Sequence, residues 1–440
     1  MGARRALSRF LAVEGWKRST GYGVRGTSIW KRLLGLAGVV IESVVMQDDD
    51  GGDLLIVGVR PRHRTRPRCG RCGRLAGFYD RGGPRRRWRH LDFAAVRVFI
   101  EAAVPRVNCV EHGPTTVALS WARHASRFTT AFEDQAAWLT ARTPASAVAE
   151  LLRTTWRSVT GIVERVVAEA AGRRDQLAGL QRIGIDEVAY RKGHRYLTVV
   201  VDHDTGRLVW AGKGRDSAVV RAFFDALGDQ RAHQLTHVST DAAEWITTVV
   251  AERAPQAVRC LDPFHLVAWA TNALDEVRRG VWNTARGGKG GRTTRSVTLK
   301  GARWALWRNP NTLTEKQRRT LAFIQITNKP LYRAYLLKEQ FREVFAIGGR
   351  AGKTLLAGWL AWAARCRIDA FVRLAKRIRH HLPGIHATLD SGLSNARIEA
   401  NNTHLRVLTR QGYGYHSAEA LIAMAMLRRG GLCPPLPRRT

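Results

Sequence analysis

Between Arg182 and Arg279 short apolar runs alternate with amphipathic stretches in an order that leaves few folds open. Arg182-Ile-Gly-Ile-Asp186-Glu-Val-Ala-Tyr190, Tyr196 to Asp202 and Arg207 to Gly212 read as the three strands of a meander, with turn signals between them. Asp216 to Leu227 reads as a helix, His237 to Asp241 as a short strand ending in an acid, and Ala243 to Arg253 as a helix. Ala257 to Asp262 reads as a strand and Phe264 to Arg279 as a helix. Strand-strand-strand-helix-strand-helix-strand describes a mixed sheet with helices on its faces. Asp186 falls inside the first strand, where a carboxylate is costly unless it is paired or binds a cation. A neighbouring arginine would satisfy it, and so would a metal. Glu187 points to the opposite face of the same strand and is left to ordinary structure.

That order matches a ribonuclease H-like fold, with boundaries near 175 and 285. The fold class expected is multidomain α/β, because 440 residues exceed a single ordinary core. A formal charge of +36 and a pI of about 11.3 favour a polyanionic partner, and nucleic acid is the first candidate. No basic amphipathic helix and no uninterrupted apolar span of about 18 residues favours a membrane. Of the six cysteines, Cys69, Cys72 and Cys109 lie close together and Cys260, Cys366 and Cys433 are scattered, which is not a disulfide framework. The N-terminal residues carry charge without a following apolar segment, so the expected location is the cytoplasm, on the nucleoid.

Residues 1–28 are rich in Arg and Gly and are expected to form a flexible basic arm. Residues 29–120 read as a β-rich module, opening with strands at Val39 to Met46 and Leu54 to Val59 around the acidic turn from Asp48 to Asp53. Within it, Cys69-Gly-Arg-Cys72 and Cys109-Val-Glu-His112 repeat a two-residue spacing. Two such pairs can converge on one tetrahedral Zn²⁺, with strands Trp88 to Phe93 and Arg97 to Val104 between them. Glycines directly after Cys72 and His112 suit the turns of such knuckles. Four protein ligands close the site, which makes the zinc structural.

Residues 121–174 become helical. Val148, Leu151 and Leu152, then a short break, then Val159, Ile162 and Val163, are spaced like a helix-turn-helix. On that reading Thr155, Trp156, Arg157 and Ser158 open the recognition helix; an ordinary helical linker is the alternative. Residues 286–385 comprise a basic glycine-rich loop, suited to phosphate contacts or to a solvated linker, and a helical insertion with Trp359, Trp362 and Phe371 inside. Gly348-Gly-Arg-Ala-Gly-Lys353-Thr imitates a phosphate loop, but the spacing fails and no strand precedes it.

Residues 386–440 are expected to supply the C-terminal helix and tail of the catalytic core. Ser394 or Asn395 can cap a helix in which Glu399, Asn402 and Arg406 share a face. Arg397, Asn402, Arg406 and Arg410 are its candidates for DNA contacts; the alternative is a solvated face. Asp186, Asp241 and Glu399 together could hold two Mg²⁺ (or Mn²⁺) ions, which take oxygen ligands and can act on both oxygens of a phosphodiester displacement.

From Trp30 onwards the chain resembles a bacterial insertion-sequence transposase of the ISL-three type. The residues carrying the likeness are Ile185-Asp186-Glu, Ser239-Thr-Asp241, Asp262-Pro-Phe-His265 and the stretch from Glu399 to Tyr413. The resemblance implies an Asp-Asp-Glu triad at Asp186, Asp241 and Glu399, with the helical segment inserted before the glutamate. It also implies recognition of terminal inverted repeats in double-stranded DNA, cleavage by water and joining through a 3′-hydroxyl by a homodimer or higher oligomer. Asp262 and His265 resemble an accessory acid-x2-His motif, or else are a helix cap and a core histidine. His112 stands where such ribbons often have cysteine. A non-enzymatic DNA-binding regulator and a metal-dependent nuclease without strand transfer are the competing functions.

Overall fold

The computed structural model describes residues 26–48, 52–62, 66–286, 301–393, 396–412 and 414–436. Most of the basic arm, the tip of the acidic turn, the basic glycine-rich loop, the caps Ser394 and Asn395, and Tyr413 lie outside the described residues. The chain divides into two compact units, Gln176–Arg410 and the remainder.

The first unit begins with helix α1 (Gly26–Leu33) and strands β1 (Val39–Gln47) and β2 (Leu54–Pro61). It continues with β3 (Gly77–Asp80), β4 (Arg86–Arg89), β5 (Arg97–Ala102), β6 (Arg106–Cys109) and β7 (Gly113–Thr116). These strands form two sheets, β1-β2-β5-β4 and β3-β6-β7. Val98, Ile100 and Ala102 alternate along β5 and bury one face against Leu55, Val57, Trp88 and Trp121, as a period of two demands. The strands expected between the two ligand pairs therefore join the larger sheet. The pairs themselves hang on β3, β6 and β7, which are too short and polar to read as strands from sequence.

Three helices follow: α2 (Thr130–Thr140), α3 (Ala145–Leu151) and α4 (Trp156–Arg173). Val148, Leu152, Val159, Ile162 and Val163 are buried. Leu151, expected beside them, is 65% exposed: it sits one position off the inward face at the end of α3. Arg153 takes a positive φ of 48° in the turn, and its Nε donates to Asp92 at 2.9 Å, tying the turn to the β4–β5 connection.

In the second unit β8 (Arg182–Arg191), β9 (Arg195–Asp202) and β10 (Leu208–Lys213) form the meander. Then come α5 (Ser217–Leu227), the short α6 (Asp229–Ala232), β11 (His237–Thr240), α7 (Glu244–Arg253), β12 (Val258–Leu261) and α8 (Pro263–Arg286). The sheet order is β10-β9-β8-β11-β12, with the meander antiparallel and β11 and β12 parallel to β8. This is the ribonuclease H-like arrangement, with the first strand at the centre. Ile183 and Ile185 pack with Phe223, Phe224, Val249 and Val250 of α5 and α7, so Gly184 and Asp186 face the other side.

The insertion comprises α9 (Arg303–Trp307), α10 (Glu315–Thr327), α11 (Lys329–Ile347), α12 (Gly349–Arg365), α13 (Asp369–His380) and α14 (Leu382–Ser391). Trp359 and Phe371 are buried in its core and Trp362 packs against it. The false phosphate loop is the junction of α11 and α12, and its Lys353 pairs with Asp390 at 2.6 Å. Helix α15 (Ala396–Gln411) returns to the sheet. The last helix, α16 (Ala418–Arg429), packs on α4 of the first unit, where Arg428 donates to the Thr140 carbonyl at 3.1 Å.

Candidate metal centres and nucleic-acid interface

Helix α15 can approach β8 closely because position 184 is glycine. A Cβ there would overlap Ile398 Cδ1 and come within 2.8 Å of His203 Nε2. His203 is buried and hydrogen-bonded to Ser239 at 2.7 Å, and burial together with the Arg397 charge lowers its pKa to about 4, so it is a neutral packing element. Gly184→Ala should therefore displace α15. Overpacking of this kind costs about 1–3 kcal/mol, and a shift near 1 Å in a catalytic group can cost about 10²-fold in rate. Recovery of cleavage by G184A/I398V in a gel assay checks the contact; an undiminished rate in G184A alone would refute it.

On the α15 face, Asp186 Oδ1 accepts from the Glu187 N–H at 2.7 Å and Oδ2 accepts from Asn402 Nδ2 at 2.8 Å. Glu399 lies one turn before Asn402 on that face. Asp241 follows β11 and accepts from the Ala243 N–H at 3.0 Å. Asp262 follows β12, is buried and accepts from the Phe264 N–H at 3.3 Å at the start of α8. His265 Nε2 stands 3.9 Å from Asp262, and with its side chain 40% exposed it is not a core histidine.

These groups feel one another. Burial raises the pKa of Asp186, and Asp241 and Asp262 raise it further against the pull of the Glu187 N–H and His265. Burial also raises that of Glu399, with Asp262 and Asp186 adding to it. Glu187 is engaged elsewhere, by Arg215 at 2.5 Å. The acids are not drawn to mutual ligand distance as the cysteines are. They do, however, form a cluster of repelling carboxylates beside a buried Asn402 Oδ1 that has no partner among the described residues. A donor set made only of oxygens and short of cations fits a hydrated hard divalent ion.

Arg397, expected on DNA, donates to the carbonyls of His203 and Asp204, and Asn401 donates to that of Gly206 at 3.2 Å. These two residues clamp α15 to the β9–β10 turn. Asn402 is likewise turned inward, whereas Arg406 and Arg410 are exposed. No sequence period flags Arg397 or Asn401 as clamps. A lone glycine within a strand did carry a signal, that of close backbone approach.

In the first unit, Cys69 Sγ and His112 Nδ1 are 3.8 Å apart, Cys72 and Cys109 Sγ 3.6 Å, and Cys109 Sγ and His112 Nδ1 3.7 Å. The four ligand atoms lie within 4.8 Å of one another. Zn–S bonds of about 2.3 Å in a tetrahedron give edges near ~3.8 Å, so the cluster has the dimensions of a zinc site. His112 is the fourth member. The His112 ring and the Glu111 N–H pull the Cys109 thiol down to about 6, towards the thiolate that binds metal. Gly73 (φ 71°) and Gly113 (φ 62°) make the two turns.

At the start of α4 the Thr155 hydroxyl accepts from the Ser158 N–H at 3.2 Å, capping the helix, and lies 3.0 Å from the Ser158 hydroxyl. Trp156, 45% exposed, stacks on His416 at 5.0 Å. Arg157 leans over the same indole at 5.7 Å and is exposed.

Family comparisons agree with all three modules. A DDE model of the ISL3 type, described as a transposase, matches residues 183–425. A helix-turn-helix domain of transposase family ISL3 matches 117–167, and the zinc finger of transposases IS204/IS1001/IS1096/IS1165 matches 65–112. The chain belongs to the ISL3 family of transposases. It is 52% identical to the transposase for insertion sequence element IS1557 of Mycobacterium tuberculosis, strains CDC 1551 / Oshkosh and H37Rv, over 94% of this chain and 98% of the relative. It is 28% identical to the transposase for insertion sequence element IS1001 of Bordetella parapertussis, over 89% of this chain and 95% of that one. This family member is a DDE transposase, a polynucleotidyl transferase that binds, cleaves and joins DNA. Among the described residues no helix is long and apolar enough to cross a membrane.

Proposed function

We propose that Asp186, Asp241 and Glu399 are the catalytic triad and hold Mg²⁺ or Mn²⁺, with Asp262 and His265 completing the charge balance beside them. The observation that carries this is the Asn402–Asp186 hydrogen bond, which fastens the glutamate's helix to the strand of the first aspartate. Bound there, divalent ions would activate the attacking oxygen and stabilise the leaving one. The protein's own groups orient and hold. Asn402 and the Glu187 N–H fix both oxygens of Asp186, and Arg397 with Asn401 fixes the pitch of α15. His265 and then Arg406 draw Glu399 towards its charged form against burial and the neighbouring acids.

The substrate is the terminal inverted repeat of the element, read through α4 with Arg157 at its opening; Arg406 and Arg410 are left for strand contacts at the catalytic unit. Water attacks the phosphodiester at the transposon end and releases a 3′-hydroxyl. That hydroxyl then attacks a target phosphate and expels the target strand's 3′-oxygen. Two or more copies would bring two ends together, and the reaction belongs on chromosomal DNA in the cytoplasm. A labelled repeat incubated with Mg²⁺ tests the whole reading: joined products support it. Cutting without joining indicates the nuclease, and metal-independent binding with no cutting the regulator.

A further inference from the structure

The first unit contains a cleft of about 920 Å³, lined by Arg71 of the ribbon knuckle, Arg86 and Arg87 of β4, His124 and Arg127 before α2, and Arg165 of α4. Its cations fall into two sets. Arg123, also in the lining, donates to Glu133 at 3.1 Å, Asp134 at 2.7 Å and Glu169 at 2.5 Å. Arg165 donates to the same buried Glu133 at 2.8 Å and Arg87 to Glu101 at 2.7 Å. These pairs neutralise the acids nearby and build the wall. Arg71, Arg86 and Arg127 are exposed and have no carboxylate partner among the described residues. Arg71 meets only a neutral acceptor across the cleft, with its Nε 3.4 Å from His124 Nε2; burial and the Arg71 charge both lower the His124 pKa.

Three unneutralised guanidinium groups around a concavity focus positive potential, and their planar forks match phosphate oxygens. The cleft also lies on the recognition helix itself. Arg157 opens α4 and Arg165 stands eight residues further on, about 12 Å along a helix. That is about the width of a major groove. A duplex read by the start of α4 would bring a sugar-phosphate strand within reach of this cleft.

We propose that the cleft is a second DNA contact of the first unit, one that grips a phosphate strand flanking the groove entered by α4 and reads no bases. The proposal rests on the base-reading role of α4 given above. The experiment uses the full-length zinc-loaded protein, a duplex carrying the terminal repeat and a scrambled duplex, titrated over a range of KCl. In Arg71→Gln/Arg86→Gln/Arg127→Gln both affinities should fall by the same factor, on the order of 10–100-fold at moderate salt. The slope of log affinity against log salt should shrink by about one per arginine. Arg157→Ala should instead erode the preference for the repeat. If the triple variant loses zinc or unfolds, Arg86→Gln alone carries the test, with a slope change of about one. An unchanged slope with affinity within twofold overturns the cleft. A wild type that binds both duplexes equally overturns base reading by α4 and leaves the slope test on the scrambled duplex standing.

Discussion

Asp186→Asn is expected to cut strand cleavage by on the order of 10³-fold or more, to leave repeat binding within about twofold, and to make the metal-free protein harder to unfold. The first two effects separate if, as proposed, the acids hold divalent ions at the reacting phosphate, whereas affinity comes from basic groups. The third follows from the electrostatics. Burial, Asp241 and Asp262 hold the Asp186 carboxyl above its ordinary pKa, so the folded state binds this proton more tightly than the unfolded chain. Its contribution to stability is full below the ordinary carboxylate range and is lost as pH rises through the raised value. The stability gap between D186N and wild type should therefore open across that window and close below it. Saturating Mn²⁺ should narrow the gap by stabilising only the wild type. Thermal melts in EDTA and in Mn²⁺, beside a cleavage gel, check all three. Asp241→Ala should match the cleavage loss, and binding lost together with cleavage would mean that the acids are not confined to chemistry.

The catalytic sheet was legible in the sequence because each of its strands is a short apolar run and each connecting helix an amphipathic one. Asp186 stood out because a carboxylate within such a run has a cost. What could not be read were properties of packing. Arg397 and Asn402 look from sequence like polar groups on an exposed face. In the structure Arg397 closes a turn and Asn402 is buried against Asp186. Periodicity gives the face of a helix but not which neighbour lies over it. The ribbon strands β3, β6 and β7 were not legible because each has four residues, too few to show an apolar alternation. The neighbour of α16 was not legible because its many buried alanines and methionines fit any helical partner, and only the contacts of α4 show which one it takes.

Removal of zinc is expected to unfold the ribbon and weaken repeat binding by on the order of 10²-fold or more, while the melting of the catalytic unit is unchanged. The reason lies in how little else holds the ribbon together. Phe78 and Tyr79 of β3 are 61% and 50% exposed and Leu75 is 52% exposed, so its apolar residues face outward; inside are Val107, Cys69 and Cys109. A sheet of three four-residue strands with so small a core cannot offset its own ordering entropy, and metal ligation supplies the difference, as it does in other small zinc modules. The ribbon also carries Arg71 to the basic cleft, so its loss removes a phosphate contact together with the knuckle. Cys69→Ser should behave like chelation, since a hydroxyl replaces a thiolate at one vertex. His112→Cys should keep both zinc and binding, because four thiolates also close a tetrahedral site and Zn–S is only about 0.2–0.3 Å longer than Zn–N. Zinc content by metal analysis, a two-transition melt and a repeat-binding titration decide the matter. Full specific binding by zinc-free C69S would show that the ribbon takes no part in holding the transposon end.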